Sequence, residues 1–156
     1  MAQFIDGCGT VFQLDPSGTL TVLYNFTGGS DGGNPDAALI ADAAGNLYGT
    51  TQNGGAPESC NRPAGCGTVF QLTPSGTLNG LHIFTGSDGA YPITDLLADA
   101  AGNLYGTTGA GTGCIGGGAC GTVFELTVPA SFTGGQAKRN IITKRLGQGV
   151  SRIGRL

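Results

Sequence analysis

The sequence predicts an all-β protein built from tandem, four-stranded, β-propeller-like repeats. Three observations lead there. A unit of about 55 residues returns nearly unchanged, which is the signature of a repeat architecture. Within each copy, short apolar runs alternate with turn residues at the spacing of short strands. The 156-residue chain also carries 31 Gly and only 11% charged residues, against about 7% Gly and a quarter charged in ordinary domains. Many tight turns need residues that enter positive φ freely, and Gly does so at no steric cost. Disorder would tolerate the Gly but not the recurrent branched and aromatic runs.

The unit that starts at Gly7, GCGTVFQLDPSGTL, starts again at Gly65 as GCGTVFQLTPSGTL and near residue 119 as ACGTVFELTVPA. The elements follow in order. GTVFQL is a strand closed by the turn DPSG or TPSG, in which Pro presets φ and Gly takes the left-handed position. TLTVLYNF is the next strand, and its alternation predicts Leu20, Val22, Tyr24 and Phe26 on one face. AALIAD is a short apolar strand, with LLAD in the same place in the second copy. The turn AAGN then leads into the strand NLYGTT. The strands add up to two, then a full set of four, then about three more. That is about two blades plus a partial one, too few for a closed ring of roughly 4–8 blades. The expectation is a truncated product, or a subunit that self-associates through open blade edges. Residues 1–127 form the repeat region and 128–156 a separate tail.

The stretch ALIADAAGNLYGTT resembles the inner strand pair of NHL-type propeller blades. That resemblance implies the order ALIAD, NLYGTT, GTVFQL, TLTVLYNF from the inner strand to the outer edge. The unit as a whole resembles the GloVer tandem repeat of long exported bacterial proteins with C-terminal surface anchors. Its marks are Gly67-Thr68-Val69-Phe70, Pro74-Ser75-Gly76, Phe84, Asp88-Gly89, Pro92, Asp99 and the run Gly102-Asn103-Leu104-Tyr105-Gly106-Thr107-Thr108. The resemblance covers residues 7 to about 127 and implies an extracellular or cell-surface protein. This chain differs in starting inside a unit, stopping one strand into the third and lacking an anchor.

Five Cys stand at 8, 60, 66, 114 and 120. The pairs Cys60/Cys66 and Cys114/Cys120 share one C-x5-C spacing in equivalent loops, and a local disulfide in each is the simplest reading. It suits an oxidising compartment. Free thiols are the alternative; zinc is disfavoured by the absence of a CxxC and the single His. The partner slot of Cys8 is occupied by Ala2, which places the first residue inside a blade.

Each remaining candidate for chemistry has a structural reading beside it. His82, the only His, aligns with Tyr24 at a strand position, and neither a nucleophile nor an orienting acid is nominated beside it. Asp42 and Asp99 end the inner strand once per unit. Paired acids at a propeller axis could hold a metal or transfer protons. An Asp before AAGN also caps a turn, and recurrence favours that role, because a catalytic residue is needed once. Asp31, Asn34 and Asp36 are oxygen ligands in a loop that could suit Ca²⁺, but the second copy loses the Asn. Tyr24, Tyr48, Tyr91 and Tyr105 could stack on sugars; the repeat consensus makes Tyr48 and Tyr105 packing residues first. The Gly-rich run 109–121 is not followed by Gly-Lys-Ser/Thr and is no P-loop. Asn25-Phe26-Thr27 is a formal glycosylation sequon on a strand.

Residues 1–135 hold all ten acids and one base, Arg62, while 136–156 hold six bases and no acid. The acidic body is a poor partner for nucleic acid, whose phosphates require clustered bases. The tail has apolar residues at near-helical spacing, as in an interfacial helix, interrupted by Gly147, Gly149 and Gly154. It reads as disordered or as a frame change. The sequence predicts neither a cofactor, a metal nor an enzyme. It predicts a surface repeat scaffold that binds an unidentified ligand, carbohydrate or protein. The alternative is a carbohydrate-binding or carbohydrate-active propeller whose active residues lie in other blades.

Overall fold

The computed structural model describes residues 7–56, 64–111 and 120–128. Among them the chain is all-β, with nine strands and no helix: β1 (Thr10–Leu14), β2 (Leu20–Asn25), β3 (Ile40–Ala41), β4 (Leu47–Thr51), β5 (Thr68–Leu72), β6 (Leu78–Ile83), β7 (Leu97–Ala98), β8 (Leu104–Thr107) and β9 (Val123–Leu126). The strands form three antiparallel sheets, β1-β2, β3-β4-β5-β6 and β7-β8-β9, in the two, four and three that the strand count predicts. No helix in these segments is long and apolar enough to cross a membrane. The predicted tail beyond Val128, Cys60 and Cys114 lie outside the described residues.

Sheet and sequence unit are out of phase. The second sheet takes β3 and β4 from the first copy and β5 and β6 from the second. Hairpins join β1 to β2 and β5 to β6 through the turns DPSG and TPSG. Gly18 and Gly76 sit there at φ 87 and 82, a region in which L side chains are strained. The link from β4 to β5 is the longer loop that carries Cys60 and Cys66.

The alternation predicted for β2 fails at its centre. Val11 pairs with Tyr24 but Phe12 with Val22, so Leu23 is a bulge. An extra residue reverses the phase of a strand whose side chains alternate. Leu20 and Val22 therefore stay exposed, at 58% and 47%, while Phe26 is buried at 6%; Leu23 and Tyr24 pack with it. The same bulge recurs in β6, where Val69 pairs with His82 and Phe70 with Gly80.

Two apolar clusters lie between neighbouring sheets. Phe70 and Leu72 of β5 meet Val11 and Phe26 of the first sheet. Val69, Leu81 and Phe84, on the opposite face of the second sheet, meet Leu96, Phe124 and Leu126 of the third. A T-shaped aromatic contact marks each junction, Phe26 on Phe70 and Phe84 on Phe124, both with ring centres 5.2 Å apart. Polar contacts add to the second junction. Thr50 Oγ1 donates to the Pro92 carbonyl at 3.1 Å, and the Ala38 amide donates to Asp95 Oδ1 at 2.8 Å.

Candidate functional site

The Asp residues at the ends of β3 and β7 organise two turns that face a cleft. Asp42 Oδ1 accepts the amides of Ala44 and Asn46, each at 2.9 Å. Its Oδ2 accepts Asn46 Nδ2 at 2.8 Å and the Tyr48 hydroxyl at 2.9 Å. Asp99 repeats the set with Ala101, Asn103 and Tyr105 at 2.8 to 3.0 Å. Hydrogen bonds to the ionised form favour it. The side chains of Asn46 and Asn103, foremost in each case, hold the two carboxyls below the ordinary Asp range.

A chain of hydrogen bonds runs from Asp42 across the second sheet. Tyr48, directly opposite Gln71 in the β4–β5 register, accepts Gln71 Nε2 at 2.9 Å while donating to Asp42. Asn79 Nδ2 then donates to Gln71 Oε1 at 3.0 Å. Gln71 is 1% exposed, so these bonds satisfy an amide that would be costly to bury unpaired. Burial is also the first cause that raises the Tyr48 hydroxyl above its usual range.

The third sheet departs from this pattern at one residue. Glu125 stands where the second sheet has Gln71, opposite Tyr105. Tyr105 lies 3.0 Å from Asp99 Oδ2 and 3.4 Å from Glu125 Oε1. A phenol carries a single donor, so two carboxylates share one proton. The sequence reading passed over Glu125, although the change from GTVFQL to GTVFEL was its signal.

Between the second and third sheets lies a cleft of about 480 Å³. Ile40, Asp42, Asn46 and Tyr48 line one wall, and Ala98, Asp99, Leu104 and Val128 the other. Its apolar floor and its rim of carboxylate and amide groups form the concave, mixed surface on which small ligands settle. Asp42, Asp99 and Tyr48, singled out in the sequence, are thus brought together.

The other candidates are dispersed. His82 Nε2 lies 2.9 Å from Asp88 Oδ2, and Asp88 also accepts the Thr85 amide and hydroxyl at 2.8 and 2.9 Å. Burial alone would raise the Asp88 carboxyl; the bonds from His82 and Thr85 bring it down to about 2. In the first copy Asp31 bonds Thr27 and the Tyr24 hydroxyl. The slot shared by Tyr24 and His82 therefore serves a polar function, latching the loop that follows. Asn34 Oδ1 accepts Asn53 Nδ2 at 3.1 Å, while Asp31 is engaged by Thr27 and Tyr24; no group of three His, Cys, Asp or Glu suited to a metal occurs among the described residues. Tyr91 occupies the position of Asn34, both with left-handed backbones at φ 58 and 57. Cys66 and Cys120 are disulfide-bonded, and Cys8 is a free thiol.

Fold and site define a class: a tandem all-β repeat protein whose sheets stack by the same pair of faces. The chain belongs to the Gloeobacter/Verrucomicrobia repeat family, whose model matches residues 4–141. No curated protein matches it.

Proposed function

We propose that the chain is a non-catalytic repeat scaffold of the propeller type that holds a ligand in the cleft between neighbouring sheets. One observation carries the reading: the carboxylates of the cleft, Asp42 and Asp99, are bound by the same four groups in both copies. A general acid working near neutrality needs a raised carboxyl pKa, and these two are lowered. Stacking by repeated faces supports the propeller arrangement. A ring in electron micrographs of assembled chains fits it, and a straight stack contradicts it.

A carbohydrate-directed surface is the second reading, and Glu125 favours it. This acid breaks the repeat beside Asp99 and Tyr105, where a sugar hydroxyl could displace the shared phenol. One experiment addresses both readings: the chain and its Glu125→Gln variant are assayed on polysaccharides for binding and for hydrolysis. The scaffold reading expects no hydrolysis by either protein. Hydrolysis by the wild type that disappears in the variant overturns it. Binding that depends on Glu125, without turnover, selects the second reading.

The location that fits is outside the cytoplasm, because disulfides at Cys66 and Cys120 persist in oxidising compartments. The pairing that the shared C-x5-C spacing supports is Cys60 with Cys66 and Cys114 with Cys120. Non-reducing peptide mapping should return these two links and an alkylatable Cys8; any other link contradicts the pairing.

A further inference from the structure

Each internal junction joins one face of a sheet to the opposite face of the sheet before it. The leading face carries the Phe and the Leu of its GTVFQL or GTVFEL strand, and the trailing face carries the Val. Phe70 and Leu72, 0% and 1% exposed, lie on the first sheet's Val11, itself 3% exposed. Phe124 and Leu126 lie in the same way on the second sheet's Val69, which is 0% exposed. At the two ends of the stack these faces are open. The leading face of the first sheet exposes Phe12 at 56%, Leu14 at 62% and Leu20 at 58%. The trailing face of the third sheet exposes Leu97 at 73% and Val123 at 48%.

We propose that the open leading face docks onto the open trailing face of a second copy of this chain, extending the stack head to tail. The occupant is specified by the molecule itself. β1 and β5 have the same sequence, TVFQL, and Val123 of the open trailing face is the repeat counterpart of Val11, against which β5 packs. Exposed contiguous apolar surface of this kind marks interaction sites. The contact joins two different surfaces, so it is heterologous; such contacts close into a ring when the rotation allows and otherwise grow open filaments.

The test uses two variants of the full chain. Phe12→Asp with Leu14→Asp disables the leading face, and Leu97→Asp with Val123→Asp disables the trailing face. All four positions are exposed, so both proteins should keep the wild-type circular dichroism. Should the first pair disturb β1, Val22→Glu on the same face, 47% exposed, replaces it. Light scattering should show the wild-type mass rising with concentration, each variant monomeric alone, and their mixture stopping at a dimer, since each contributes the face the other lacks. A wild type that stays monomeric up to its solubility limit overturns the proposal. So does association that survives in both variants, which points to strand addition at a sheet edge. Association lost in the first variant but kept in the second points to an isologous contact between leading faces and also overturns it.

Discussion

At the scale of single residues, Asp side chains do the work that a longer chain would leave to packing. Asp31, Asp42, Asp88 and Asp99 each gather amide and hydroxyl donors within a few residues, and so fix turns that have little apolar surface of their own. Asp88 is the most consequential. Its carboxyl is about 2 in the folded chain against an ordinary value of 3.8. A carboxyl depressed by folding contributes stability that is fully present above the unfolded value and is lost as the pH falls through the folded one. Asp88→Ala should therefore lower stability near neutrality by about 1–2 kcal/mol, reduced from a fully buried pair because solvent reaches the group. It should also flatten the acid limb of stability between pH 3.8 and about 2. Urea melts at neutral pH and across that range check both. The role of Asp42 and Asp99 could be read from sequence, because an Asp before a Gly-containing turn has a short list of donors within reach. The Asp88–His82 bond could not, since it joins a strand position to a loop. Its trace was only that Tyr24 and His82, both able to donate to the following Asp, share a slot.

At the scale of the strand, the recurrent LYGTT needs its Gly for the neighbouring ring. Gly49 pairs with Phe70 and Gly106 with Phe124. A Cβ on Gly49 would stand 2.7 Å from Phe70 Cζ and 2.6 Å from Leu39 Cδ2. Because Phe70 is fully buried it has no free space to enter, and overpacked cores lose roughly 1–3 kcal/mol. Gly49→Ala should cost that much in thermal or denaturant melts, whereas Gly18→Ala, which meets no atom, should show only the strain of its positive φ. Strand order and number were legible because the apolar runs and turn signatures repeat. The bulge was not: Val22 and Leu23 are both apolar, so either could continue an alternating pattern. The choice falls to packing, which takes Leu23 inward with Tyr24 and Phe26.

At the scale of the molecule, stability is distributed as in a one-dimensional array, in which each sheet gains from the neighbours on its two faces. The second sheet is covered on both, and every residue of β5 is buried, whereas four of the five in β1 are exposed. Amide hydrogen exchange should therefore be slowest in β4 and β5 and fastest in β1 and β2. Comparable protection in the first and second sheets would contradict an array held by facing layers. Which face meets which neighbour was hidden in the sequence, because both faces of GTVFQL carry apolar side chains and the partner is a tertiary matter. The offset between sequence unit and sheet bears on how such a gene can change length. A duplication or loss of one whole unit, cut at the GCGTVF boundary, crosses the middle of a sheet, yet it rejoins two inner strands to two outer strands of the same kind. The edited protein has one sheet more or fewer, with the same two ends and every interior junction intact. Recombination between copies can therefore vary the number of sheets freely without ever creating an unpaired half-sheet in the interior.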